Sequence, residues 1–201
     1  MGPIIAIVVF FIFVIGIIVF AIKYGKKKNK EKNDRYQDLG RRLNLEFVET
    51  KHLFVKIPYL SGNWKNQYVE IYEKIVGSGK NQTIYTYIVI HKSPHNYQFK
   101  IGKENFFTKV GKKMGFKDIE FDNLELDKKI LFKSKDESQF KTLMDYKKLH
   151  DLEGVADSIR GTIQNKDGQL TYVMVGAIHK AERMEELEKV LYFMETLVRR
   201  D

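Results

Sequence analysis

The chain has no cysteine, so it contains no disulfide and no thiolate metal ligand. That agrees with a reducing, cytoplasmic compartment for its soluble part. Proline is scarce: Pro3, Pro58 and Pro94 are all there is, and they punctuate only the first half. No internal repeat occurs, and low complexity is confined to one Lys-rich stretch, so no repeat architecture is implied. No serine sits in a nucleophile-elbow pattern. Uncharged apolar runs are rare too, with a single exception at the N-terminus.

Residues Pro3 to Ile22 carry no charge, and sixteen of these twenty are Ile, Val or Phe. Twenty helical residues span roughly 30 Å, the thickness of a bilayer's hydrocarbon core. A cleaved signal peptide needs a positive start, an apolar core of about 7–15 residues and a small-residue cleavage site. Here the start is uncharged, the run is longer, and Lys23-Tyr24-Gly25-Lys26 follows it. A retained transmembrane anchor over 1–22 is therefore expected. Ala6 stands where N-myristoylation needs Ser or Thr.

The flanks predict direction. Lys23, Lys26, Lys27, Lys28, Lys30, Lys32 and Arg35 follow the run, against Glu31 and Asp34. Basic flanks stay cytoplasmic, so the N-terminus is expected outside and residues 36–201 in the cytoplasm. The seven basic residues form a juxtamembrane linker over 23–35, placed to meet anionic headgroups. This stretch accounts for five of the chain's nine net positive charges. The remainder is only mildly basic, which argues against nucleic acid as a partner. Asn81-Gln82-Thr83 fits a glycosylation sequon and reads as a chance match at a turn.

Residues 36–201 suffice for one domain with its own core. Tyr36, Leu39 and Leu43 suggest a short amphipathic helix, although Gly40 lies inside it. Leu45, Phe47 and Phe54–Ile57 read as short strands, and Gly62-Asn63-Trp64 as a turn. In Tyr68–Val76, Val69, Ile71 and Ile75 share one face. In Thr83–His91, Ile84, Thr86, Ile88 and Ile90 alternate with Tyr85, Tyr87 and Val89. Gly77–Asn81 joins the two as a hairpin loop. Tyr97, Phe99 and Ile101 make a third alternating strand. Phe106 or Phe107, Val110 and Met114 suggest a helix ending near Gly115. Ile130-Leu131-Phe132 reads as a strand, and Asp136 as the N-cap of a helix reaching about Leu149. Ile159 and Ile163, Lys166-Asp167-Gly168 and Leu170–Val175 form a second hairpin.

The last segment is an amphipathic helix with Met184, Leu187, Leu191, Met194 and Val198 on one seam. That seam either packs on the domain's own sheet, the preferred reading, or serves as a partner surface. The pattern implies an α+β fold: one transmembrane helix, a largely antiparallel sheet, flanking helices and a C-terminal amphipathic helix.

Several segments in this order carry a resemblance. They are Arg42-Leu43-Asn44, Leu60–Trp64, the Val69–Tyr72 and Ile84–Tyr87 strands, Phe99–Glu104, Gly115–Phe121, and Ile130–Asp136. With the anchor and the closing helix, the chain resembles a group of membrane-anchored bacterial proteins with a soluble α+β domain and no assigned activity. The chain lacks the proline that group carries before its Gly-Lys-Glu turn, here Gly102-Lys103-Glu104. The resemblance implies a bacterial origin and one soluble domain, and supplies no activity.

Four motifs invite chemistry. Gly77-Ser78-Gly79-Lys80 mimics the end of a phosphate loop, but Lys74 and Asn81 occupy the positions that need Gly and Ser or Thr. His91 and His95 have metal-ligand spacing for a helix, which Pro94 between them opposes. Asp118, Glu120 and Asp122, with Glu125 and Asp127, could hold a hard cation, yet they match no EF-hand and have Lys112, Lys113 and Lys117 beside them. Tyr68, Tyr72, Tyr85 and Tyr87, with Lys74 and Trp64, could stack bases, or simply cover half-buried sheet. No cofactor, metal or small-molecule ligand is implied. The sequence thus favours a membrane-tethered, non-enzymatic interaction module, such as an accessory subunit of a membrane-protein complex. A lipid-sensing or lipid-acting module and a hydrolase with dispersed residues stay open as alternatives.

Overall fold

The apolar run does not end in a loop. In the computed structural model, which describes residues 2–52, 55–103, 115–178 and 181–199, helix α1 runs unbroken over Gly2–Leu43. Forty-two residues make a rod of about 63 Å. Its described apolar part projects clear of the domain, and its C-terminal end lies on the sheet. The basic stretch is therefore a helical stem rather than a flexible linker. Gly40 belongs to this packing: a Cβ there would stand 2.9 Å from Leu60 Cδ2 and 3.0 Å from the Leu45 carbonyl. The glycine that weakens the helix locally is what lets the helix approach the sheet.

The strands are β1 (Glu46–His52), β2 (Val55–Trp64), β3 (Gln67–Val76), β4 (Thr83–His91), β5 (Phe99–Gly102), β6 (Lys117–Ile119), β7 (Leu131–Ser134), β8 (Thr162–Lys166) and β9 (Gln169–Val175). They form one antiparallel sheet in the order β1-β2-β3-β4-β9-β8-β5-β7-β6. The fold is α+β, as the patterning implies. Gly62-Asn63-Trp64 is not a turn but the end of β2, and the turn falls on Lys65-Asn66. Both residues have positive φ, the mark of a two-residue hairpin loop, and Asp167-Gly168 repeats it between β8 and β9.

The described helices other than α1 are α2 (Leu124–Lys129), α3 (Glu137–Leu143), α4 (Tyr146–Val155) and α5 (Ala181–Val198). Asp136 does cap α3, accepting from the Gln139 N–H at 2.9 Å. The helix expected to reach Leu149 instead breaks at Met144, and Asp145 caps α4 through the Lys148 N–H at 2.8 Å. The helix expected around Val110 lies outside the described residues.

One face of the sheet makes the core. Leu60, Ile71, Ile88, Tyr172, Ile163, Ile101 and Phe132 follow one another across seven strands in register. Against them pack Tyr36, Leu39 and Leu43 of α1 and the apolar stripe of α5. Phe99, Phe121, Phe132 and Phe140 add a ring cluster under α3, with centroids 4.9–6.2 Å apart. Met184, Leu187, Leu191, Met194 and Val198 are all buried here. The seam of α5 is taken up by the domain itself.

Candidate membrane joint and docking face

Strand alternation puts Val69, Ile71 and Glu73 of β3 on the helix side. The third member is a carboxylate with only 3% of its side chain exposed. Three donors converge on it. Lys32 Nζ donates to Oε2 at 3.1 Å, while the Tyr36 hydroxyl and the Ile178 backbone N–H both donate to Oε1 at 3.1 Å. Burial, reinforced by the Glu73 charge, pushes the Tyr36 hydroxyl well above its ordinary value, which keeps it a donor. Beside this group, Asn33 Nδ2 donates to Glu49 of β1. The stem is thus pinned to β1, β3 and the segment after β9.

This joint corrects one expectation. Lys32 is buried in an ion pair and is not free to meet headgroups. Arg35 is half-buried in a cleft of about 440 Å³ between α1 and α5, where Asp34, Asp38, Arg42 and Glu185 also lie. Lys23, Lys26, Lys27, Lys28 and Lys30 are exposed. Sequence reasoning misses Glu73. The available signal was a charge at an inward position of a strand, matched by a lysine four residues before Tyr36 on the stem's buried stripe.

The other face of the sheet carries none of the described helices. Val48, Tyr59, Tyr72, Tyr87 and Val173 line up across it in register. The Tyr72 and Tyr87 rings stack at 5.1 Å, and Tyr59 lies 6.0 Å from Tyr72. Partial burial raises the pKa of all three hydroxyls, with Glu70 adding to the effect at Tyr59 and Tyr72. Val48, Tyr68, Val76 and Val175, each more than two-fifths exposed, belong to this same face. These residues leave an aromatic and β-branched surface uncovered by any of the described helices.

The remaining motifs find structural partners. Gly77–Asn81 is a hairpin loop with one 3-10 turn. His91 Nε2 lies 3.0 Å from Glu70, and His95 Nε2 donates to the Leu197 carbonyl at 2.6 Å. Asp118 pairs with Lys133, and the Asp127 carboxylate accepts backbone N–H groups from Phe121 and Asn123. Among the described residues, no three His, Asp or Glu side chains gather as a metal site. Lys100 and Lys133 sit directly opposite one another on β5 and β7. Burial, with help from Lys133 and Lys166, lowers the Lys100 pKa, and its ammonium stands 5.0 Å from the Phe116 ring.

The architecture has a counterpart among solved structures. The fold is similar to that of a mycobacterial transport factor. The crystal structure of the mycobacterial trehalose monomycolate transport factor A, TtfA, superposes with a TM-score of 0.56 at 13% identity. The match covers 82% of this chain and 93% of that one. At that identity the likeness speaks for the fold alone. No protein-family model matches the chain, and no curated protein matches it.

Proposed function

We propose that this chain is a membrane-tethered, non-enzymatic accessory factor of a membrane-protein assembly, a transport system by analogy with TtfA. The observation that carries this reading is the unbroken α1, whose apolar run continues as a helix into the domain core and is pinned there by Lys32 and Glu73. Such a stem fixes where the domain stands relative to a bilayer. A flexible tether would suit a domain that diffuses to soluble targets; a rigid one suits a domain that must meet a membrane neighbour in one orientation. The uncovered aromatic face of the sheet is the surface for that neighbour. Residues 1–22 are the span, residues 23–35 the stem, whose exposed lysines from Lys23 to Lys30 face anionic headgroups, and residues 36–201 the cytoplasmic domain. The fold likeness to a mycobacterial transport factor supports the reading.

Topology and anchoring test it together. A reporter active only outside the cytoplasm, fused after Asp201, should give no signal. Ile12→Arg places a charge near mid-membrane at about 2.5–3.5 kcal/mol. It should release part of the folded chain into the soluble fraction. A strong outside signal, or membrane attachment untouched by Ile12→Arg, would contradict the proposal.

A further inference from the structure

The stem and strand β2 run alongside each other. Gly62 lies beside Asn44 and Leu45, Leu60 beside Gly40, and Pro58 pairs with Glu49, whose carboxylate meets Asn33. Four residues of strand therefore match about ten of helix, since about 13 Å of strand equals about nine helical residues. Moving along β2 toward Val55 is moving along the stem toward the span. The same holds for β3, whose Glu73 meets Lys32 and Tyr36 and whose later residues continue that way.

The height of the strand ends follows. From the level of Tyr36 and Lys32 to Ile22 is about 18 Å of helix. From Glu73 to Val76 is about 10 Å of strand, and the β3–β4 loop lies beyond it. Measured along the stem, that loop reaches a level within several ångströms of the end of the apolar run, inside the polar headgroup layer of about 5–7 Å.

Its chemistry fits the place. Residues 74–85 hold no Asp or Glu. Lys74 and Lys80 are exposed and, among the described residues, make no ion pair. Val76, exposed beside them, adds an apolar contact. The loop is also built to keep its shape. Gly77 has φ of +96°, and a Cβ there would strike the Asn81 carbonyl, while the Asn81 N–H donates to the Ser78 carbonyl at 3.1 Å. On the neighbouring β1 and β2, Lys51 and Lys56 pair in register at the same end.

We infer that the end of the sheet bearing Lys74, Val76 and Lys80 rests on anionic lipid headgroups, as a second membrane contact beside the basic stem. Two contacts hold a rod upright where one would let it pivot. The inference rests on the anchoring proposed above.

The chain's lack of cysteine makes the test clean. The full chain with Ser78→Cys carries a thiol-reactive dye at the loop tip, and Asn63→Cys carries it at the opposite end of the sheet. Both go into nanodiscs of phosphatidylglycerol and phosphatidylcholine holding a headgroup-bound nitroxide quencher. The dye at the loop tip should be quenched and the dye at the opposite end should not. Lys74→Gln and Lys80→Gln should each lower the docked-to-free ratio about five-fold, the equivalent of about 1 kcal/mol per basic residue. High salt should do the same. A chain that does not enter nanodiscs would overturn the anchor and this inference with it. Entry with equal quenching at both positions overturns the second contact alone. Quenching undiminished in pure phosphatidylcholine, or in the double Lys→Gln chain, overturns the assignment to anionic headgroups.

Discussion

Replacing Lys32 with alanine separates two views of the stem. If Lys32 were one more headgroup lysine, Lys32→Ala would leave the domain's stability untouched. In the structure its ammonium is, among the described residues, the one cation paired with a carboxylate that has 3% of its side chain exposed. Removing one partner of a buried pair costs about 3–5 kcal/mol, because the other charge stays buried. Glu73 would keep two donors, the Tyr36 hydroxyl and the Ile178 N–H, so the lower end of that range applies. For a domain of this size about 3 kcal/mol lowers the melting temperature by about 6–12 °C. Lys32→Met with Glu73→Gln removes both charges, keeps an acceptor for those two donors, and should melt within a few degrees of the wild type. The chain reports its own unfolding through its one tryptophan. Trp64 is buried, with the Tyr192 ring 5.1 Å away edge-on and the Lys65 ammonium 4.9 Å over its face. Melting the full chain in detergent micelles by Trp64 fluorescence gives the comparison. The reasoning is refuted if Lys32→Ala costs less than about 0.5 kcal/mol, the range of surface changes. It is equally refuted if the double variant is as damaged as the single one.

Leu191→Ala, at a fully buried position of α5, should cost about 2–5 kcal/mol and lower the same melt; an unchanged melt would put the seam on the surface. His95 gives a pH dependence. Burial lowers its pKa below the ordinary 6.5, so the native state binds its proton less readily than the unfolded chain does. Its contribution is present above pH 6.5 and is lost as pH falls through the lowered native value; urea midpoints from pH 8 to 5 should fall, and His95→Gln should flatten that fall. A slope unchanged in His95→Gln would assign the acid sensitivity to other groups.

Much of the fold is legible because alternation is a local signal. Val69 and Ile71, or Ile88 and Ile90, announce a buried face within a few residues, and Asp167-Gly168 announces its own turn. The α5 seam is equally plain from its spacing. The parts that stay hidden depend on distant partners. Gly62 reads as a turn residue, yet it lies in a strand where Leu45 Cδ2 would stand 3.3 Å from a Cβ. Lys32 reads as one of seven alike, and only the strand that supplies Glu73 sets it apart. Insertion of β5 between β8 and β7 joins segments some sixty residues apart in the chain, which no local period encodes. The outward face of the sheet is visible in the sequence as a run of tyrosines. That it is left uncovered follows from where the helices pack.

The central claim is that the tethered domain meets a membrane-protein neighbour through the uncovered face of its sheet. Tyr68→Arg with Val175→Arg places two charges at exposed positions on that face and leaves the core intact. The decisive measurement is purification of the full chain from native membranes in mild detergent, wild type beside this variant, after their melts are matched. The account predicts a membrane protein recovered in stoichiometric amount with the wild type and lost with the variant. A wild-type chain that purifies alone, or a variant that retains the same partner in the same amount, would contradict it.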